Sequence, residues 1–225
     1  MPTKKKLLYS YVVDHDYGDA PNPCFGMCTL VKCKYSKDGK RNNLIESVYE
    51  AKCSKKYQEI WVVGTGGSDM TKSSGNGTIL YAMKIDEAIS VEEYYERTEF
   101  RCKKPNHKSK GVEKFGDNDK KSCGEYALVS YDFYYFGDRR YKIPGELKKQ
   151  FPNVKLEKKN RGFKFKNFSD EYIDCVISCL RKQPQNGKVG CPCGTKVFKE
   201  DATTCKNVCG NKTKKNADRP SPRRC

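Results

Sequence analysis

Asp14-His15-Asp16 places an imidazole between two carboxylates, directly after the apolar, β-prone run Tyr9 to Val13. Imidazole can donate, accept or act as a general base near neutrality, and a neighbouring carboxylate orients it. His15, with Asp14 or Asp16, is therefore the catalytic candidate. The same side chains could ligate a divalent cation. However, the chain has only 2 His, and successive residues of an extended segment point to opposite sides, so a full metal site would need ligands from elsewhere. The plainer alternative is a loop whose Asp and Asn side chains satisfy its own backbone.

A second constellation is glycine-rich. Gly64-Thr65-Gly66-Gly67-Ser68 follows the strand-like Glu59 to Gly64. A dinucleotide fingerprint requires a helix next, but here Ser, Asn and Gly continue to Gly77, and a second β-prone run begins at Thr78. Glycines at Gly64 and Gly66, around Thr65, would either bring backbone N–H groups close to a base or phosphate or form a flexible hairpin loop. A third constellation is aromatic, Phe133-Tyr134-Tyr135-Phe136 before Gly137. On a strand, Phe133 and Tyr135 share one face and Tyr134 and Phe136 the other. One pair should be core, and the other a platform for a base, where stacking contributes roughly 1–3 kcal/mol. Arg139, Arg140 and Lys142 stand close by for phosphates. Trp61, the only Trp, reads as an inward residue of a sheet.

The chain has 13 Cys. Cys191, Cys193, Cys205 and Cys209 lie in a Gly/Lys-rich setting, where four thiolates would hold Zn²⁺ and take the place of a core. Their C-x-C and C-x₃-C spacing departs from the usual pair of C-x₂-C. Cys175 and Cys179, four apart on a helix, are either alternative ligands or simply packed. The basic start of the chain leads into a first strand rather than a signal peptide. Free thiols or metal ligands in a reducing compartment, cytoplasm or nucleus, therefore rank ahead of a disulfide framework.

The elements that must position these groups alternate irregularly. Glu59–Gly64 and Thr78–Ile85 form a long hairpin, and Ser90 opens a capping box for a short helix. Ala127–Phe136 reads as one strand, and Pro144 begins a helix to about Phe151. Ser169 caps a helix whose Tyr172, Ile173, Val176, Ile177 and Leu180 share a face. Met27–Cys33 is ambiguous and leans to helix. Residues 103–121 read as a basic surface loop, and 153–166 as irregular. The expected class is α+β, with a curved, mostly antiparallel, barrel-like sheet and a few short helices over residues 1–184, then a basic Cys-rich tail at 185–225 that is disordered or stapled by metal. No run approaches the length of a membrane span. The formal charge of +17 is uneven. Residues 1–100 carry 14 basic and 14 acidic side chains, residues 101–180 carry 19 and 11, and residues 181–225 carry 12 and 3. All the excess lies in the second half, and a clustered basic surface attracts polyanions.

YSYVVDHDYGDAPNP, CTLVKCK, WVVGTGG, ILYAMKIDE and DFYYFGD occur in this order. Together they resemble the second of the families described as nucleotide-modification-associated domains, over roughly residues 8–180. The resemblance implies an association with modified nucleotides and carries candidate positions to Asp14, His15, Asp16, Gly18, Asn22, Pro23, Cys28, Thr29, Gly64, Gly66, Tyr135, Phe136 and Gly137. It offers nothing for the Cys-rich tail. The leading expectation is a module that binds a modified base or nucleotide, with nucleic acid as partner, DNA ahead of RNA. An enzyme acting on such a base through His15, and a structural protein with incidental charge, are the alternatives.

Overall fold

The computed structural model describes residues 5–32, 43–103, 123–157, 163–164 and 168–194. Two sheets organise them. The larger is built from β1 (Lys5–Val13), β3 (Tyr57–Gly66), β4 (Thr78–Lys84), β7 (Phe133–Tyr135), β8 (Tyr141–Lys142), β9 (Phe163–Lys164) and β10 (Gly187–Lys188). Its order is β10-β7-β4-β3-β1-β9, with β8 also on β4. The smaller has the order β2-β6-β5, from β2 (Cys28–Lys32), β5 (Glu87–Ser90) and β6 (Cys123–Ser130). Most pairings are antiparallel, including the expected β3–β4 hairpin, but β1–β3 and β7–β10 are parallel. The larger sheet is open, with the two-residue strands β9 and β10 at its edges. Barrel closure, expected from sequence, does not occur, because β2, β5 and β6 form a separate sheet.

Alternation along β1 and β3 explains the layers. Leu7, Tyr9, Tyr11 and Val13, with Ile60 and Val62, face the smaller sheet and α1 (Leu44–Cys53). Leu8, Trp61 and Val63 face the opposite side, under α3 (Gly145–Gln150) and α4 (Asp170–Arg181). A third cluster, with Tyr94 and Phe100 stacked at 4.5 Å, lies beyond the smaller sheet under α2 (Val91–Glu96). Trp61 is core, as its place in a sheet implies, and its indole N–H donates to Glu59 at 3.1 Å. The helix caps follow the sequence signals. Ser169 Oγ accepts from Tyr172 N–H at 3.3 Å, and Ser90 Oγ from Glu93 N–H at 3.1 Å; each cap contributes about 1 kcal/mol.

Three expectations are corrected. Met27–Cys33 contains a strand, β2, not a helix, since a five-residue apolar run fits either period until a partner strand decides. Ala127–Phe136 is two strands in different sheets, broken at Tyr131-Asp132, where Tyr131 N–H donates to Asp86 at 2.7 Å. Residues 153–166, read as irregular, include β9, which pairs with Tyr11 and Ser10 of β1. Residues 187–188 extend the larger sheet beside β7.

Strand direction determines what meets at one end. β1 and β3 are parallel, β4 opposes β3, β7 opposes β4, and β10 is parallel to β7. β8 also opposes β4; hence β1, β3, β7, β8 and β10 share a direction, and the segments after them leave from the same edge. In open, mostly parallel α/β sheets the carboxyl end is where ligands collect; here β4 alone of the central strands runs the other way. Among the described residues, no helix is long and apolar enough to cross a membrane.

Candidate functional site

Asp16 is the point where these segments join. Its backbone N–H donates to Lys72 O at 2.7 Å, and its carbonyl accepts from Gly194 N–H at 2.8 Å. Its side chain is buried, with 1% exposure. Oδ1 accepts from the Tyr135 hydroxyl at 2.6 Å and from Gly18 N–H at 3.3 Å, and Oδ2 accepts from Cys193 N–H at 3.1 Å. Burial raises the Asp16 pKa, while these donors pull it back down. One carboxyl thus ties the loop after β1 to β7 and to the segment after β10. Asp14 and His15 stay exposed, and the His15 ring stacks on Tyr17 at 5.9 Å. With its oxygens taken up in this way, Asp16 is not available to orient His15.

The glycines of β3 make room for their neighbours. A Cβ on Gly64 would lie 2.2 Å from the Tyr81 ring, and one on Gly66 would lie 2.1 Å from Gly75 O. Thr65, wholly buried, donates through Oγ1 to Tyr11 O at 3.0 Å. A bulge between β3 and β4 turns Leu80 and Tyr81 to the same side. This lets the Tyr81 hydroxyl reach that of Tyr11 at 2.6 Å inside the core. The connection after β3 is tied to β1 through Ser73, whose hydroxyl donates to Val13 O at 2.5 Å and accepts from Gly67 N–H at 2.9 Å.

The aromatic strand departs from expectation. Phe133 and Tyr135 belong to the core between the sheets, and Tyr134 and Phe136 to the core under α3 and α4. All four are nearly inaccessible, because both faces of the sheet are covered, so neither pair forms an exposed platform. Gly137, at φ +51, fits closely against the backbone of Cys191. The turn beyond it leaves Arg139, Arg140 and Lys142 exposed at the strand-end edge. No described carboxylate forms an ion pair with them. Among the described residues, the exposed large apolar side chains are Tyr17, Phe25 and Met70, all in the two connections that follow β1 and β3.

The rest of the loop after β1 is held by a cation that the sequence reading did not single out. Lys103 is buried, and its ammonium donates to Asn22 O at 2.8 Å, Asn22 Oδ1 at 3.2 Å and Met27 O at 2.9 Å. Burial pulls its pKa down to about 7; the three oxygens favour the charged form in return. Asn22 and Thr29 exchange backbone hydrogen bonds at 2.9 and 3.0 Å, and Asn22 Oδ1 also accepts from Cys24 N–H at 3.1 Å. Pro23 and Cys28 are buried, and the Cys28 thiol is pushed up to about 12 by burial. Thr29 Oγ1 lies 3.3 Å from the Tyr94 hydroxyl. Nothing in the sequence marks Lys103, since it opens a run of exposed-looking cations. Only its contacts separate it from them.

The tail thiols divide. Cys191 is in a disulfide, as is Cys24, whereas Cys193 is free and faces Asp16, with its pKa raised by burial to about 12. Cys205 and Cys209 lie outside the described residues. Cys175 and Cys179 are free and contact Gln150 and Glu146. Among the described residues, no group of three or more His, Cys, Asp or Glu is arranged to hold a metal ion.

Asp14, Asp16, Gly18, Gly66, Tyr135, Phe136 and Gly137 therefore gather near one edge. Asn22, Pro23, Cys28 and Thr29 form the strut that carries the loop to the second sheet. Comparison with known families adds one match: the model of the family described as nucleotide modification associated domain 2 covers residues 5–42 and 54–123. No curated protein and no solved structure matches the chain significantly.

Proposed function

Since the chain belongs to the nucleotide modification associated domain 2 family, we propose that the strand-end edge of its larger sheet binds a modified base or nucleotide during nucleic-acid modification. The observation that carries this reading is the convergence of five like-directed strands on one edge. The connections there present aromatic rings and, in Arg139 and Arg140, cations that no described carboxylate pairs, while their own backbone is pinned through Asp16. The rings are not those of the aromatic strand, which is core on both faces. They are His15 and Tyr17, already stacked on each other, with Phe25 further along the same loop. A base laid on Tyr17 extends an existing stack, and Arg139, Arg140 and Lys142 supply the charge for phosphates. A general-base role for His15 finds less support, because Asp16 is committed to Tyr135 and Cys193.

The test is a binding screen, at fixed salt, of nucleotides and oligonucleotides carrying different modified bases. Tyr17→Ala should lower the affinity of the best ligand about fivefold or more with an unchanged melting temperature, since the ring is half exposed. Wild-type protein that binds none of the panel would reject the reading.

A further inference from the structure

Phe25 stands out by the company of two properties. Its backbone is left-handed, with φ 62, and Gly26 follows at φ 77. Its ring is 40% exposed. An aromatic residue is disfavoured in this conformation, which glycine adopts freely. Strained residues of this kind persist only where the surroundings over-determine them, and they cluster at ligand clamps. The surroundings here do over-determine it. Upstream, Asn22 is fixed by its backbone exchange with Thr29 and by Lys103, and Cys24 is buried and disulfide-bonded. Downstream, the Met27 carbonyl is fixed by the same ammonium. Packing does not account for the ring, because the residues on either side of the Phe25-Gly26 pair are more buried than the pair itself. A turn needed only for the fold would be served better by glycine at this position.

We propose that Phe25 is a stacking residue held ready for the face of an unpaired nucleobase, from a free nucleotide or a single strand. This rests on the reading that the edge binds nucleotides, and it narrows the substrate class. The face of a base inside a duplex is covered by its neighbours, so the ring cannot stack on it unless the base is extruded. Rigid placement lowers the ordering cost of binding, which is what the Lys103 strut provides.

Phe25→Gly separates fold from function. Glycine accepts the left-handed backbone, so the melting temperature should hold or rise. The affinity for short single strands bearing unmodified, methylated or hydroxymethylated cytosine or adenine should fall by about 5- to 100-fold. Phe25→Trp should retain binding. Its fluorescence should be quenched by the single strands and by nucleoside monophosphates, but not by the same strands in duplex. Because Trp61 is wholly buried, the new signal is distinguishable. Phe25→Gly with wild-type affinity overturns the proposal, as does equal binding of duplex. If Tyr17→Ala still weakens binding in that case, the nucleotide-binding reading stands without Phe25. If wild-type protein binds neither strands nor nucleotides, both fail. Should the glycine variant not fold, quenching of Phe25→Trp decides alone.

Discussion

At the scale of single residues, the site depends on one carboxyl that never reaches solvent. Asp16 was legible as a candidate because it sits beside His15 after a strand, but its role was not. Adjacency suggests a His–Asp pair, but the chain leaves the strand at Asp14, so Asp14 and His15 are exposed while Asp16 is buried. Its partners, Tyr135 and Cys193, are 119 and 177 residues away, and no local pattern encodes them. Tyr135→Phe leaves Oδ1 with only the longer bond from Gly18, while the carboxyl stays buried. The expected loss is about 1–3 kcal/mol, read from the urea midpoint at neutral pH. A loss below about 0.5 kcal/mol would mean that the hydroxyl does not secure the loop. On sequence alone Tyr135 is either core or a stacking surface. Its burial makes it the loop's anchor, and stacking passes to the exposed rings of Tyr17 and Phe25.

At the scale of elements, the legible parts were those with local physical signatures. Ser90 and Ser169 cap the helices they were expected to cap, and the β3–β4 hairpin follows two apolar runs around a polar connection. The parts that were not legible required tertiary information. The end of β6 and all of β7 lie in one β-prone run, and only their assignment to different sheets separates them. Residues 14–26 are dense in Asp, Gly, Pro and Asn, which marks an ordered loop, but its dependence on Lys103 is hidden in a basic stretch.

That dependence has a sign that can be measured. Burial brings the Lys103 pKa down to about 7, below the usual 10.5. Between these values the unfolded chain binds a proton that the folded chain has released, so stability rises with pH across this window. Below about 7 both states carry the charge, and the cost of burying it is felt in full. Cys28, the titratable neighbour, is pushed up to about 12, so from about 9 upward it contributes slope of the opposite sign, with or without Lys103. Lys188 is also pulled down by burial and adds slope of the same sign as Lys103. The measurement is therefore a difference: urea midpoints from pH 7 to 10 should rise less steeply for Lys103→Met than for wild type. Equal slopes would show that Lys103 does not titrate in this range.

For the molecule as a whole, charge and topology divide the task. The sequence shows that all the excess positive charge lies after residue 100, but not where that half meets the loops of the neutral half. Topology supplies the meeting place. β7 and β10 come from the basic half and run in the direction of β1 and β3, so Arg139, Arg140 and Lys142 emerge at the edge where Asp14, His15 and Tyr17 do. If these three side chains each hold a phosphate, single-strand affinity must fall with salt partly on their account. Each phosphate neutralised contributes roughly 0.7 to the slope of log K against log salt. Replacing all three by Gln should therefore make the slope shallower by about 2 and weaken all strands alike, whichever base they carry. Tyr17→Ala, by contrast, should weaken binding and leave the slope unchanged, because a ring displaces no counterion. A triple variant that keeps the full wild-type slope would move the phosphate contacts to other cations of the basic half. The edge would then retain only its rings, and backbone recognition would have to be assigned elsewhere on the chain.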